Sequence, residues 1–367
     1  MKIIADKNIP YLKGIADQFG DVVYLDGAAF THEAIKDADT LIVRTVARFD
    51  ERNLKDTNVK LICSATIGYD HIDTAYCDSH NIAWRNAPGC NSGSVKQYIV
   101  SSLILISRKL GFDLKDKTIG IVGVGNVGKQ VAKACEVLGM KVLLNDPPRQ
   151  RAEHGDRFVS LDTIKDEADI ITFHTPLEKE GKDKTYHLAD DLFFNTLKKS
   201  PVIINLARGG IVDTQAIKKA IAGNKISGAI IDCWENEPDI DLGYMNMVDI
   251  ATPHIAGYSA DGKANATRMS LESLAAFYGM DTAPIADIIA PMPDSSTLDM
   301  DKYIGGDNRV YDAILDTYNP MDDFNRLMAA PETFKQLRNN YPLRREYSAY
   351  SLLNATQEEA VLFDSLK

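Results

Sequence analysis

The chain has 367 residues, more than one hydrophobic core usually supports, so two or three domains are expected. A hydrophobic fraction of 45% and a charged fraction of 25% are those of ordinary globular proteins and exclude a disordered chain. With Lys+Arg 41 against Asp+Glu 52 the net charge is −11, a field that repels polyanions, so no nucleic-acid partner is expected and an anionic substrate needs a local basic pocket.

The first residues, Met1-Lys2-Ile3-Ile4-Ala5-Asp6, reach an acid before the apolar run of a signal peptide can form. The longest apolar run, around 98–106, is too short to cross a bilayer. A cytoplasmic protein without membrane contact is therefore expected. Cys63, Cys77, Cys90, Cys135 and Cys233 are odd in number and lack C-x-x-C spacing, which predicts buried thiols rather than disulfides or a metal site.

Short β-rich apolar runs at 2–5, 21–25, 40–43, 60–63 and 82–84 alternate with polar or helical stretches, the pattern of a parallel sheet. A long helix is predicted over 94–110, and a second alternating series follows with strands at 118–122, 141–145, 170–173, 202–205, 228–232 and 249–251. After Gly279 a Pro- and Asp-rich stretch, 284–301, leads to mixed segments that read as a linker and a small third domain.

The second series opens with a strand that runs into Gly123-Val124-Gly125-Asn126-Val127-Gly128 and then a helix. The first glycine allows the turn, the second lets backbone N–H groups approach a pyrophosphate, and the third allows close helix–strand packing. The helix N-terminus favours the negative charge. Val127, Val131, Cys135 and Leu138 recur at helical spacing, so one helix face can pack on a sheet. Asp146 closes the next strand, where a carboxylate accepts ribose hydroxyls and repels a 2′-phosphate, which favours NAD over NADP. Arg149 nearby is the residue that would argue for NADP.

Three later segments follow strands: Asn205-Leu206-Ala207-Arg208-Gly209-Gly210-Ile211-Val212-Asp213, Asp232-Cys233-Trp234-Glu235-Asn236-Glu237-Pro238 and Thr252-Pro253-His254-Ile255-Ala256-Gly257. Ligands of open α/β sheets bind at the carboxyl ends of strands. Oxidising a secondary alcohol needs a base, a cation for the developing carbonyl and the substrate carboxylate, and a hydride acceptor. His254, Arg208 and a nicotinamide fill these roles, with Glu237 orienting His254 and stabilising its imidazolium. His71, His174 and His187 compete for the base. His174 is better placed to satisfy backbone groups, His71 lies in the first domain, and His187 sits in a charged loop.

The motifs G-x-G-x-x-G, A-R-G-G-x-V-D, D-x-W-x-x-E-P and P-H-I-A-G resemble those of the D-isomer-specific 2-hydroxyacid dehydrogenases, over residues 3–279. The resemblance implies an α/β fold of two doubly wound parallel-sheet domains, a flavodoxin-like substrate domain (1–93 and 257–280) and a Rossmann NAD domain (94–256). A small C-terminal α+β dimerisation domain (281–367) completes it. It makes Arg208, Glu237 and His254 catalytic, with no metal. Within the family, the cues Val43-Arg44-Thr45, Asp70-His71-Ile72-Asp73, Ala87-Pro88-Gly89-Cys90-Asn91 and Asp146-Pro147-Pro148-Arg149 imply oxidation of 4-phospho-D-erythronate to 3-hydroxy-2-oxo-4-phosphooxybutanoate. Thr45, Thr66 and Tyr258 would then touch substrate, and Asp146, Thr175, Asp232 and Gly257 would touch NAD. Arg44 is expected at the phosphate, or else paired with an acid such as Asp6, and Arg344 or Arg345 is expected in the partner's site of a homodimer. The alternatives are another member of the family, such as a phosphoglycerate dehydrogenase, and a non-catalytic NAD-sensing protein.

Overall fold

A computed structural model describes residues 1–154 and 156–367. They form two compact units, Met1–Asn91 with Ser259–Met292, and Ser92–Tyr258 with Pro293–Lys367.

The first unit holds five parallel strands, β1 (Lys2–Asp6), β2 (Asp21–Leu25), β3 (Thr40–Val43), β4 (Leu61–Ser64) and β5 (Ala83–Arg85), in the order β2-β1-β3-β4-β5. This is the flavodoxin-like order. Ile3, Ala5, Ile42, Leu61 and Cys63 pack with Leu271 and Leu274 of the helix Ala260–Tyr278, whereas Ile4, Leu41, Val43 and Ile62 pack with Ile35, Phe49 and Leu54. Successive strand residues point to opposite faces, so a sheet covered on both faces is apolar at nearly every position. That is why β1, β3 and β4 stand out in the sequence as apolar runs.

The second unit repeats the scheme with β6 (Thr118–Val122), β7 (Lys141–Asn145), β8 (Ile170–Phe173), β9 (Val202–Asn205), β10 (Gly228–Ile231) and β11 (Ile250–Ala251), in the order β11-β10-β9-β8-β6-β7. A lone parallel bridge between Leu144 and Phe158 extends the sheet beyond β7. Counted as a strand, it completes the order of the dinucleotide-binding fold. Every strand in both sheets lies within a residue of its predicted limits.

The sequence reading sets residues 281–367 apart as a domain. In the structure the chain stays with the first unit to Met292, and the rest shares the cores of the second. Val310, Ile314, Tyr347 and Phe363 join the core beneath the helix Ser92–Leu110, and Leu327 and Phe334 join the core on the other side of the sheet. β12 (Thr297–Asp299) and β13 (Ser351–Leu353) form a small parallel pair. The cover explains why the polar side chains of Ser92–Leu110 are buried. Gln97 donates to Thr317 Oγ1 at 3.2 Å and to the Arg345 carbonyl at 3.0 Å, Ser101 donates to the Tyr318 carbonyl at 2.8 Å, and Lys96 donates to the Lys367 carbonyl at 3.0 Å. Buried polar groups persist only with such partners.

All five cysteines are buried and unbridged, and burial pushes the thiols of Cys63 and Cys135 up to about 12. Among the described residues no helix is long and apolar enough to cross a membrane.

Candidate active site

The glycine turn joins β6 to the helix Asn126–Val137, whose N-cap is Gly125. A Cβ at Gly128 would lie 2.1 Å from the Gly123 carbonyl oxygen, so helix and turn meet at a separation only glycine permits. Gly123 itself has φ +89° and lies against His174 and Thr175 at the end of β8. Nothing crowds Gly125, leaving its backbone approachable. The Thr175 hydroxyl is buried without a partner among the described residues, a donor available to a ligand in this cradle. Asn126 is exposed and Val127 half-buried. These residues fit a dinucleotide.

Asp146 caps the helix Pro147–Glu153, accepting from Arg149 N–H at 3.0 Å and from Val124 N–H at 2.9 Å. It thereby ties the end of β7 to the glycine turn. The Arg149 guanidinium donates to Glu153 at 2.7 Å and to the Val124 carbonyl, and lies over Phe158. Committed in this way, it is not poised to receive a 2′-phosphate, which favours NAD.

Asp232 and Thr252 directly follow β10 and β11. Buried Asp232 accepts from the Thr252 hydroxyl at 2.6 Å, Ile255 N–H at 2.7 Å and Ala256 N–H at 3.0 Å. Burial pushes its carboxyl above the ordinary carboxylate range, against the pull of His254 and these donors. The bonds hold the loop in which His254 has φ 56°, a left-handed conformation that costs a non-glycine residue about 1–2 kcal/mol. Gly257 follows in the same loop, half-buried.

His254 Nδ1 lies 2.7 Å from Glu237 Oε2, and Glu237 Oε1 accepts from Trp234 N–H at 2.8 Å. Burial works to raise the Glu237 carboxyl, but the bond to His254, its charge, the Trp234 N–H and Arg338 outweigh it and hold the group below its ordinary value. An ionised Glu237 accepts from Nδ1–H, which leaves Nε2 as the proton-accepting nitrogen. Cys233 Sγ belongs to the same cluster, its atoms and those of Glu237 and His254 lying within 4.8 Å of one another. Burial pushes that thiol far up, so it is a neutral neighbour.

Arg208 stands on the turn after β9. Asn205 Nδ2 donates to the carbonyls of Arg208 at 3.0 Å and Cys233 at 3.3 Å, and a Cβ at Gly209 would meet the Trp234 carbonyl oxygen at 1.8 Å. The Arg208 turn is thus pressed onto the loop that carries Glu237. The Tyr258 ring meets Tyr341 edge-on at 5.7 Å.

The other predicted substrate residues belong to the first unit. Arg44 donates from Nε and Nη2 to buried Asp6 at 2.9 and 3.2 Å, Thr45 is exposed, and the Thr66 hydroxyl bonds Ser64 Oγ at 2.7 Å. The competing histidines have structural partners. His174 bonds Thr172 and is driven by burial to about 3, His71 contacts Ser64, and His187 lies between Asp213 and Glu235.

The expectation for Arg344 is overturned. It is buried within its own unit, donating to Ser94 carbonyl at 2.6 Å, Gln97 Oε1 at 2.9 Å, and the carbonyls of Ala256 and Ile255 at 3.3 and 3.4 Å, with its guanidinium 3.5 Å from the Tyr318 ring centroid. A guanidinium so enclosed cannot reach a second subunit. Arg345 is buried as well. Sequence reasoning also missed Arg338, whose Nη1 lies 3.9 Å from Glu237 Oε2, and the part of Asn205 in shaping the loops, whereas Asp232 does cap a loop, as its position after a strand allowed. Asn205 and Asp232 stand within quoted motifs, whereas nothing in the local sequence marks Arg338.

Residues 97–256 match the family model described as D-isomer specific 2-hydroxyacid dehydrogenase, NAD binding domain, and residues 289–366 match a domain of unknown function, DUF3410. The erythronate-4-phosphate dehydrogenase of Bacteroides fragilis is 50% identical over 96% of this chain and 99% of its own length. That of Porphyromonas gingivalis is 43% identical over 98% and 97%. Among solved structures, an NAD+-bound 3-phosphoglycerate dehydrogenase of Entamoeba histolytica superposes with a TM-score of 0.64 at 28% identity, covering 76% of this chain and 95% of that one.

Proposed function

The chain belongs to the D-isomer-specific 2-hydroxyacid dehydrogenase family, in the branch of the erythronate-4-phosphate dehydrogenases, and from that premise we propose how its site works. It is an NAD-dependent dehydrogenase. The substrate is 4-phospho-D-erythronate, oxidised at its 2-hydroxyl to 3-hydroxy-2-oxo-4-phosphooxybutanoate on the way to pyridoxal 5′-phosphate. The observation that carries the reading is the 2.7 Å contact between His254 Nδ1 and an ionised Glu237.

NAD supplies the hydride acceptor. His254 takes the hydroxyl proton at Nε2, and Glu237 steadies the imidazolium formed. Arg208 faces the substrate carboxylate and the developing carbonyl oxygen. Gly123, Gly125, Asn126, Val127 and Gly128 hold the pyrophosphate, and Asp146, Thr175, Asp232 and Gly257 make the remaining NAD contacts. Thr45, Thr66 and Tyr258 contact the substrate. NADH formation is compared for 4-phosphoerythronate, 3-phosphoglycerate, D-glycerate and D-lactate. The phosphoerythronate is expected to give the highest kcat/KM, and preference for another acid would refute the substrate.

Arg44 is assigned to the phosphate, because Asp6 occupies its Nε and Nη2 and leaves Nη1 for a second anion. Arg44→Gln alone would leave the buried Asp6 carboxylate with the Asn8 N–H but no counter-ion, so the informative variant pairs it with Asp6→Asn. A charge-assisted bond contributes ~1.5–3 kcal/mol, so the double variant should lose ~10–100-fold in kcat/KM on the phosphorylated acid. D-Erythronate should be oxidised as before. Equal losses on both acids would remove Arg44 from the phosphate site.

A homodimer through the segment Pro293–Lys367 belongs to this reading, as does a cytoplasmic location. Ile304, Leu343, Leu353 and Val361 of that segment are exposed apolar side chains that an interface would cover. A monomer in sedimentation equilibrium would refute the dimer.

A further inference from the structure

We infer that Arg338 is a positioning residue for the acid–base pair: its guanidinium, set between the Glu237 carboxylate and the ring of Tyr258, fixes the acid that orients His254. The inference rests on the reading of His254 as the base. Arg338 Nη1 lies 3.9 Å from Glu237 Oε2, the same oxygen that meets His254 Nδ1 at 2.7 Å. At that distance the contact is one of charge rather than a hydrogen bond. The guanidinium carbon is 5.6 Å from the centroid of Tyr258, within range of a cation–π contact.

The arginine is held there by packing. It stands on the short helix Phe334–Asn339, and Phe334 and Leu337 enter the core that also contains Trp234. Trp234 in turn donates its N–H to Glu237 Oε1. Both oxygens of the acid are therefore reached from one packed cluster. Arg338 Nε is buried and has no partner among the described residues. A donor left in that state is destabilising, so folding alone does not favour an arginine at this position. The carboxylate and the ring give it a purpose.

The charged and titratable groups around Glu237 are His254, Arg338 and the protonated Cys233 thiol, with Arg208 and Asp232 on the adjoining loops. Arg338 is the cation supplied by the C-terminal segment. Arg338 helps to hold the Glu237 carboxyl below its ordinary value, so its removal makes that carboxyl easier to protonate, and activity should fail at a higher pH on the acid side. The C-terminal segment thus completes the catalytic pair of its own chain as well as covering the core.

The test compares full-length wild type with Arg338→Met and Arg338→Lys. Each is assayed for kcat and KM on 4-phosphoerythronate and D-erythronate across pH, with NAD affinity and thermal midpoint measured alongside. Arg338→Met should lower kcat roughly tenfold on both acids, the scale of losing one charge that orients an acid–base pair. NAD affinity should not change, and the acid limb should move to higher pH. Arg338→Lys should recover most of the rate and the original limb. Unchanged kcat and pH profile in Arg338→Met would overturn the inference. So would a lower rate with a lowered thermal midpoint but an unmoved acid limb, which is the mark of a structural role. A rise in KM confined to the phosphorylated acid would also overturn it, making Arg338 a phosphate ligand. Failure of wild type on 4-phosphoerythronate would overturn the substrate reading alone, since Arg338 is then read on whichever acid of the panel is oxidised.

Discussion

His254→Ala is expected to lower kcat by about 10²–10⁴-fold, the contribution of a positioned general base, while NAD affinity is unchanged. The loop should survive the substitution. Its left-handed turn is held by Asp232 through the N–H groups of Ile255 and Ala256, neither of which involves the imidazole. Glu237 would not be stranded either, because Trp234 N–H and Arg338 remain beside it. His254→Asn is the companion variant, since asparagine tolerates positive φ and offers no comparable base. Turnover within a few-fold of wild type in either would remove His254 from the chemistry.

Arg344→Met is expected to destabilise the second unit by about 3–5 kcal/mol, because it removes charge-assisted bonds to Gln97 and the Ser94 carbonyl and takes from buried Gln97 Oε1 its donor. Methionine fills much of the volume but donates nothing. The loss should appear as a lower urea midpoint with little change in slope. Activity should fall too, since Arg344 also donates to the carbonyls of Ile255 and Ala256, just after His254. Unchanged stability together with weakened dimerisation would restore the role that the sequence suggests for Arg344, a reach into the partner's site.

Arg344 shows where reading a sequence stops. Leu343-Arg344-Arg345-Glu346 has the look of an exposed basic pair, and in an acidic protein that handles an anion such a pair invites a ligand. Its burial depends on the helix Ser92–Leu110, about 250 residues earlier in the chain. The same helix carries polar side chains whose state is not written in its own residues. Gln97 and Ser101 are dry because Thr317, Tyr318 and Arg345 come back to bond them. Arg338 is silent for the same reason: its partner Glu237 is about 100 residues away and its own helix is short.

Features with local causes are legible in the residues alone. The two-sided burial of parallel strands writes itself as apolar runs, the close approach of Gly128 to Gly123 admits only glycine, and the residues after β9, β10 and β11 carry Arg208, Asp232, Glu237 and His254 as compact motifs. The pairing geometry and the fate of isolated charges depend on contacts between distant segments. Glu237 faces His254 at 2.7 Å because Trp234 and Asp232 shape two separate loops, and Arg44 is bound to Asp6 because β1 and β3 are neighbours in the sheet. The physical reason is range: propensity and period act over a few residues, whereas a buried charge is satisfied by whatever donor or acceptor the fold brings to it, however distant in the chain.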